Sequence, residues 1–79
     1  MNWQKKIFTV GTRYRVKQSF VSGLSTFSAD EILIFERDKY SPYDSCFVYE
    51  FNTEFKEEKA WWLHEDKPTE SWQQYFEVL

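Results

Sequence analysis

The side chains able to do covalent chemistry in this 79-residue chain are few: one cysteine, Cys46, and one histidine, His64. A thiol needs a base and an orienting partner to act as a nucleophile, so these two make at most one catalytic dyad. A lone cysteine is ordinarily a small buried hydrophobe. His64, followed by Glu65 and Asp66, reads as an exposed strand-end residue whose charge responds to those acids. Neither residue has the companions of a zinc site, and a single thiol forms no internal disulfide. The acid pairs Asp30-Glu31, Glu57-Glu58 and Glu65-Asp66 do not fill the gap. Neighbours on a strand point to opposite faces, so each pair reads as solvated loop rather than as an acid–base couple. None has the spaced ligands and glycine of a calcium loop, and Gly11 and Gly23 stand too far apart to cradle a phosphate. These absences point away from an enzyme, with no metal and no cofactor expected.

The aromatic residues are the better candidates. Tyr40, Pro42 and Tyr43 fall near a loop tip, and Trp62 points to the opposite face from Trp61. A large ring with one polar handle suits a contact surface. These four residues are therefore expected to bind a protein or an extended peptide. The structural alternative packs Trp62 under a C-terminal helix with Trp72 and Phe76 and uses the Tyr43 hydroxyl to pin its own loop.

Composition narrows the choice further. Phe, Tyr and Trp number 17, while Ala, Val, Ile, Leu, Met and Cys together number 16, so the core must be built mainly from rings. No apolar run approaches the ~20 residues that cross a bilayer. The basic start, Met1 to Lys6, is followed by an apolar stretch, Ile7 to Val10, that Gly11-Thr12-Arg13 ends too soon for a signal peptide. A single cytoplasmic domain spanning 1–79, with no membrane partner, is the expectation.

The net charge of −3 hides an asymmetry: residues 1–20 carry five bases and no acid, whereas residues 50–79 carry eight acids and three bases. A basic stretch can be the footprint of nucleic acid, but such domains are usually strongly basic overall, and this one has a pI near 5.1. Arg13, Arg15 and Lys17 are read instead as one face of a strand, solvated or paired with acids across the sheet.

Elements able to position these residues follow from periodicity. Thr12 to Phe20 alternates with period two, placing Tyr14, Val16 and Phe20 near one face. Val21 to Ser28 has the Ser, Thr and Gly of a long irregular loop, which Leu24 and Phe27 should tuck against the core. Glu31 to Glu36 reads as a central strand covered on both sides. Arg37 to Ser45, with Pro42, reads as a loop, and Cys46 to Phe51 as the clearest strand, with Phe47, Tyr49 and Phe51 on one face. Asn52 to Glu58 is an exposed connection, and Lys59 to His64 a strand with Trp61 and Leu63 on one side. Beyond Pro68, Trp72, Tyr75, Phe76 and Leu79 stand at i, i+3, i+4 and i+7, the spacing of a short helix over about 69–78 with Thr69 as N-cap. A closing strand over Tyr75 to Leu79 is the competing reading.

Phe8, Gly11-Thr12-Arg13-Tyr14-Arg15-Val16, Glu31-Ile32-Leu33-Ile34-Phe35 and Trp61-Trp62-Leu63 together resemble a small SH3-like barrel. Lys39-Tyr40-Ser41-Pro42-Tyr43-Asp44 is similar to the Pro-Tyr-Asp loop of a small bacterial family of unknown function, whose members share a Gly-X-X-Tyr-X-Val opening strand. The resemblance covers roughly 8–65, and Asp30-Glu31 stands where that family has Gly-Glu. It implies a fold and no chemistry.

The expected fold is mainly β, an SH3-like antiparallel barrel of four or five strands over 8–65 with a short C-terminal helix. The expected function is a non-enzymatic protein-interaction module. Rival expectations are an acidic inhibitor or immunity-type protein that covers a basic partner, nucleic-acid binding through residues 5–17, and a small hydrolase using Cys46 and His64.

Overall fold

The computed structural model describes residues 7–79; residues 1–6, including Lys5 and Lys6 of the basic segment, lie outside the described residues. The strands are β1 (Arg13–Val16), β2 (Phe20–Ser22), β3 (Ser25–Phe27), β4 (Ile32–Ser41), β5 (Cys46–Thr53), β6 (Glu58–His64) and β7 (Phe76–Val78), with a 3-10 helix, Thr69–Gln74, before β7. Five strands form one antiparallel sheet in the order β6-β5-β4-β1-β7, and β2 with β3 makes a separate hairpin. The protein is mainly β, as its alternation predicts. The ladder does not close into a barrel, because among the described residues no pairing joins β7 to β6.

Cross-strand register sorts the side chains into rows. Phe35 faces Phe51, Tyr49 faces Trp61, and Phe47 lies between Tyr40 and Leu63. A bulge between Phe35 and Arg37 shifts the register of β4. One extra residue reverses the alternation, so Leu33 and Phe35 point inward before it and Tyr40 after it, while Arg37 and Lys39 turn out to pair with Glu50.

The inner face is closed by the hairpin and by two segments that flank the sheet strands. Phe20 stacks on Phe27 with centroids 4.7 Å apart, and both rings meet Phe76. Phe8, only 7% exposed, lies in the stretch before β1 and touches seven rings: Tyr14, Phe35, Tyr49, Phe51, Trp61, Trp72 and Phe76. Most of these contacts are edge-to-face, the arrangement favoured by the ring quadrupole.

Several expectations need correction. The strand expected from Thr12 to Phe20 is broken at Lys17-Gln18-Ser19, and the loop expected from Val21 to Ser28 is a tight hairpin turning at Gly23-Leu24. Phe27 is fully buried as expected, but Leu24 is fully exposed. Strand β4 continues through Arg37–Ser41, which leaves only 42–45 as turn, and Ile34 is exposed, so its outer face is not covered along its length.

The helix expected over 69–78 stops at Gln74 in 3-10 geometry, Pro68 rather than Thr69 takes the cap position, and Phe76–Val78 is a strand. Trp72, Tyr75 and Phe76 all reach the core, so the spacing reported a real face, but Leu79 is exposed. The physical reason lies on β1. Lys17 N–H donates to Tyr75 O at 2.7 Å and Leu79 N–H to Arg13 O at 3.1 Å, bonds that a helix continuing to 78 would leave unmade.

Replacing Phe8 by alanine is expected to lower unfolding free energy by about 3–5 kcal/mol, because it removes the ring common to seven contacts. Phe55→Ala, at an exposed turn, should stay within about 0.5 kcal/mol of the parent. Urea titration of the two variants is the check, and equal effects would show that Phe8 does not organise the core.

Candidate functional site

Strand β6 is an edge strand, and its outward backbone groups require partners. Ala60 N–H donates to Ser25 Oγ at 3.1 Å and Trp62 N–H to Ser22 Oγ at 2.9 Å, so two hairpin hydroxyls take the place of a neighbouring strand. His64 C=O is taken by Lys67 N–H at 2.9 Å. Lys59 fastens the same joint: its ammonium, on a side chain only 12% exposed, bonds both Glu31 carboxylate oxygens at 2.8 Å and Thr26 C=O. Gly23 sits at φ 57°, and a Cβ there would come within 3.0 Å of Trp62 Nε1. Glycine thus serves both the turn and the close approach of the indole.

Along the outer part of this edge runs a cleft of about 470 Å³. Its apolar walls are Trp61, Trp62, Pro68 and Tyr75, with the Trp61 and Tyr75 rings 6.1 Å apart. His64, Lys67, Ser71 and Gln74 supply the polar part of the lining. His64 Nδ1 accepts from Asp66 N–H at 3.2 Å, which leaves the proton of the neutral ring on Nε2. Ser71 Oγ is buried and has no hydrogen-bond partner among the described residues.

The four expected contact residues do not converge. Trp62, at 37% exposed, walls the cleft. Tyr43 is fully exposed, and Pro42 is exposed beside it in the β4–β5 turn. Tyr40 stands on the inner face because of the bulge, its ring 5.1 Å from Phe47 and its hydroxyl donating to Glu65 Oε2 at 2.6 Å. Trp61, not Trp62, packs against Phe76.

Cys46 and His64 are directly opposite across β5 and β6, and both line the cleft. The thiol nevertheless donates to Asp44 C=O at 3.2 Å, and burial, reinforced by the Asp44 and Glu65 carboxylates, pushes its pKa up. A thiol held protonated is a poor nucleophile. No group of three or more metal-ligating side chains occurs among the described residues. Of the basic segment, Arg15 pairs across the sheet with Glu77, in keeping with the reading from sequence, and also with Asp30 in a turn; Lys17 Nζ donates instead to Gln73 C=O of the 3-10 helix at 2.9 Å.

Sequence reasoning missed Ser22, Ser25 and Lys59 at the joint and Ser71, Gln74 and Tyr75 in the cleft. The hairpin serines were visible only as turn chemistry. For Lys59 no local signal exists, since its partners Thr26 and Glu31 are distant in the chain.

The fold is similar to that of a solved structure, an integron cassette protein from the mobile metagenome of Vibrio cholerae, with a TM-score of 0.69 and 21% identity over 89% of this chain and 86% of that one. No family model matches the chain, and no curated protein matches it. No helix among the described residues is long and apolar enough to cross a membrane.

Two phenols carry a pH dependence. The hydrogen bond to Glu65, then burial, then the Glu65 charge raise the Tyr40 pKa, and burial followed by the Asp38 charge raises that of Tyr49. The fold therefore favours the protonated phenols: their stabilisation is whole below the unfolded value of 10.0 and is lost as pH climbs through the raised native values. The urea midpoint should fall between about pH 9 and pH 12, and fall less in Tyr49→Phe. An identical decline in both proteins would refute a special role for that buried phenol.

Proposed function

We propose that this chain is a non-enzymatic protein-interaction module that takes an extended segment of a partner in the cleft beside β6. The observation that carries this reading is the aromatic-walled cleft itself, flanked across Gly23 and Trp62 by the turn that carries the fully exposed Leu24. Trp62 is the anchor: it is half open to solvent, it is held by the Gly23 contact, and indoles in such settings contribute disproportionately to binding. The raised thiol pKa of Cys46 weighs against a hydrolase that uses the Cys46–His64 pair. Tyr40, Pro42 and Tyr43 stand apart from the recognition surface in this reading. The similarity to a cassette protein bears on fold alone.

Panning a displayed random-peptide library against the folded protein should enrich related sequences whose affinity drops roughly tenfold or more in Trp62→Ala and is unchanged in Tyr43→Ala. Failure to enrich any family of peptides, or enrichment indifferent to Trp62, would sink the proposal. Binding that collapses with salt while ignoring Trp62 would favour the acidic-inhibitor reading instead.

A further inference from the structure

We infer that the cleft recognises the C-terminal residue of its partner, with an apolar side chain against the indoles and the free carboxylate against a rim of donors. This rests on reading the chain as an interaction module and specifies what that module takes.

The charge of the lining is the reason. Residues 50–79 are strongly acidic, yet among the described residues no carboxylate lines the cleft. The polar lining is made of groups that can donate: the Lys67 ammonium, the Gln74 amide, the Ser71 hydroxyl and the His64 imidazole. His64 is set up for this by its own backbone contact, because the Asp66 N–H occupies Nδ1 and leaves Nε2–H as the donor.

Three acids stand just outside that lining: Asp44 and Glu65, whose charges reach the Cys46 thiol, and Asp66 beside His64. Glu65 accepts from the Tyr40 hydroxyl, and the Asp66 carboxylate lies 3.6 Å from His64 on the Nδ1 side. Ser71 Oγ has no partner among the described residues, and rotation about χ1 would offer it to an acceptor in the cleft.

An internal peptide segment would offer the Lys67 ammonium and the His64 Nε2–H only neutral carbonyls. A chain terminus brings two anionic oxygens, which form charge-assisted bonds with several donors at once. The volume, about 470 Å³, lies in the range of sites that enclose small ligands, and suits an end residue with its carboxylate better than a long wrapped segment. Terminal-carboxylate capture is an established mode of peptide recognition.

The experiment is a two-dimensional amide NMR titration of the whole chain with N-acetylphenylalanine, which mimics a C-terminal residue, and with its uncharged amide, which mimics an internal one. The acid should shift the Trp62 indole and the 63–74 backbone saturably, and bind roughly tenfold more tightly than the amide. Lys67→Ala and Gln74→Ala should weaken the acid and leave the amide unaffected, with the spectra showing that both variants are folded. Equal binding of acid and amide would overturn the terminal-carboxylate inference while leaving an apolar interaction cleft. Binding of the acid at Arg13 and Arg15 rather than in the cleft would also overturn it, as would no saturable shift from either probe; peptide panning then judges the interaction-module reading separately.

Discussion

The fold depends on one edge-to-face cluster of rings. With few aliphatic side chains available, the sheet cannot be closed by the deformable packing of leucine and isoleucine. It is closed by rigid planes whose attraction depends on orientation. Phe8 is the ring common to most of that cluster, although it belongs to no strand and precedes the sheet in sequence. The inner rows of β4, β5 and β6 present rings toward it, and the 3-10 helix and β7 bring Trp72 and Phe76 from the other end of the chain. Phe8 and the 72–76 segment are therefore tied through a single contact set.

A second constraint is the exposed edge of β6. An unpaired strand edge invites association with other chains. Here the hairpin β2–β3 answers it without adding a ladder: two serine hydroxyls accept the outward N–H groups, and Lys59 bridges Glu31 and Thr26 across the joint. The burial of Phe20 and Phe27 and the satisfaction of β6 are thus one event. The same docking lodges Gly23 against Trp62 and so holds one wall of the cleft.

The cleft inherits its chemistry from where two elements stop. Strand β6 ends at His64, and the 3-10 helix ends at Gln74 so that β7 can pair with β1. Between them the chain leaves aromatic walls with donors set among them and a thiol pushed away from reactivity. The proposed binding role rests on this arrangement. Fold similarity to a cassette protein says nothing for or against this, because function resides in the local constellation rather than in the architecture.

What the sequence determined by itself was the set of strands and most of their faces. Alternation is a property of neighbouring residues, so Phe47, Tyr49 and Phe51, or Trp61 and Leu63, announce their side of the sheet without reference to anything distant. The paucity of reactive groups was equally legible, since it is a matter of counting. What only the tertiary structure decided were the features set by partners far along the chain. The bulge beside Phe35 reversed the face of Tyr40 and so separated it from Trp62. The open edge of β1 drew 76–78 out of helix and into a strand. The open edge of β6 turned Ser22 and Ser25 from turn residues into acceptors for its backbone, which left Leu24 in solvent. In each case a backbone group that must be hydrogen-bonded, or a register that must accommodate one extra residue, outweighed the local preference, and neither condition can be read until the strands have found one another.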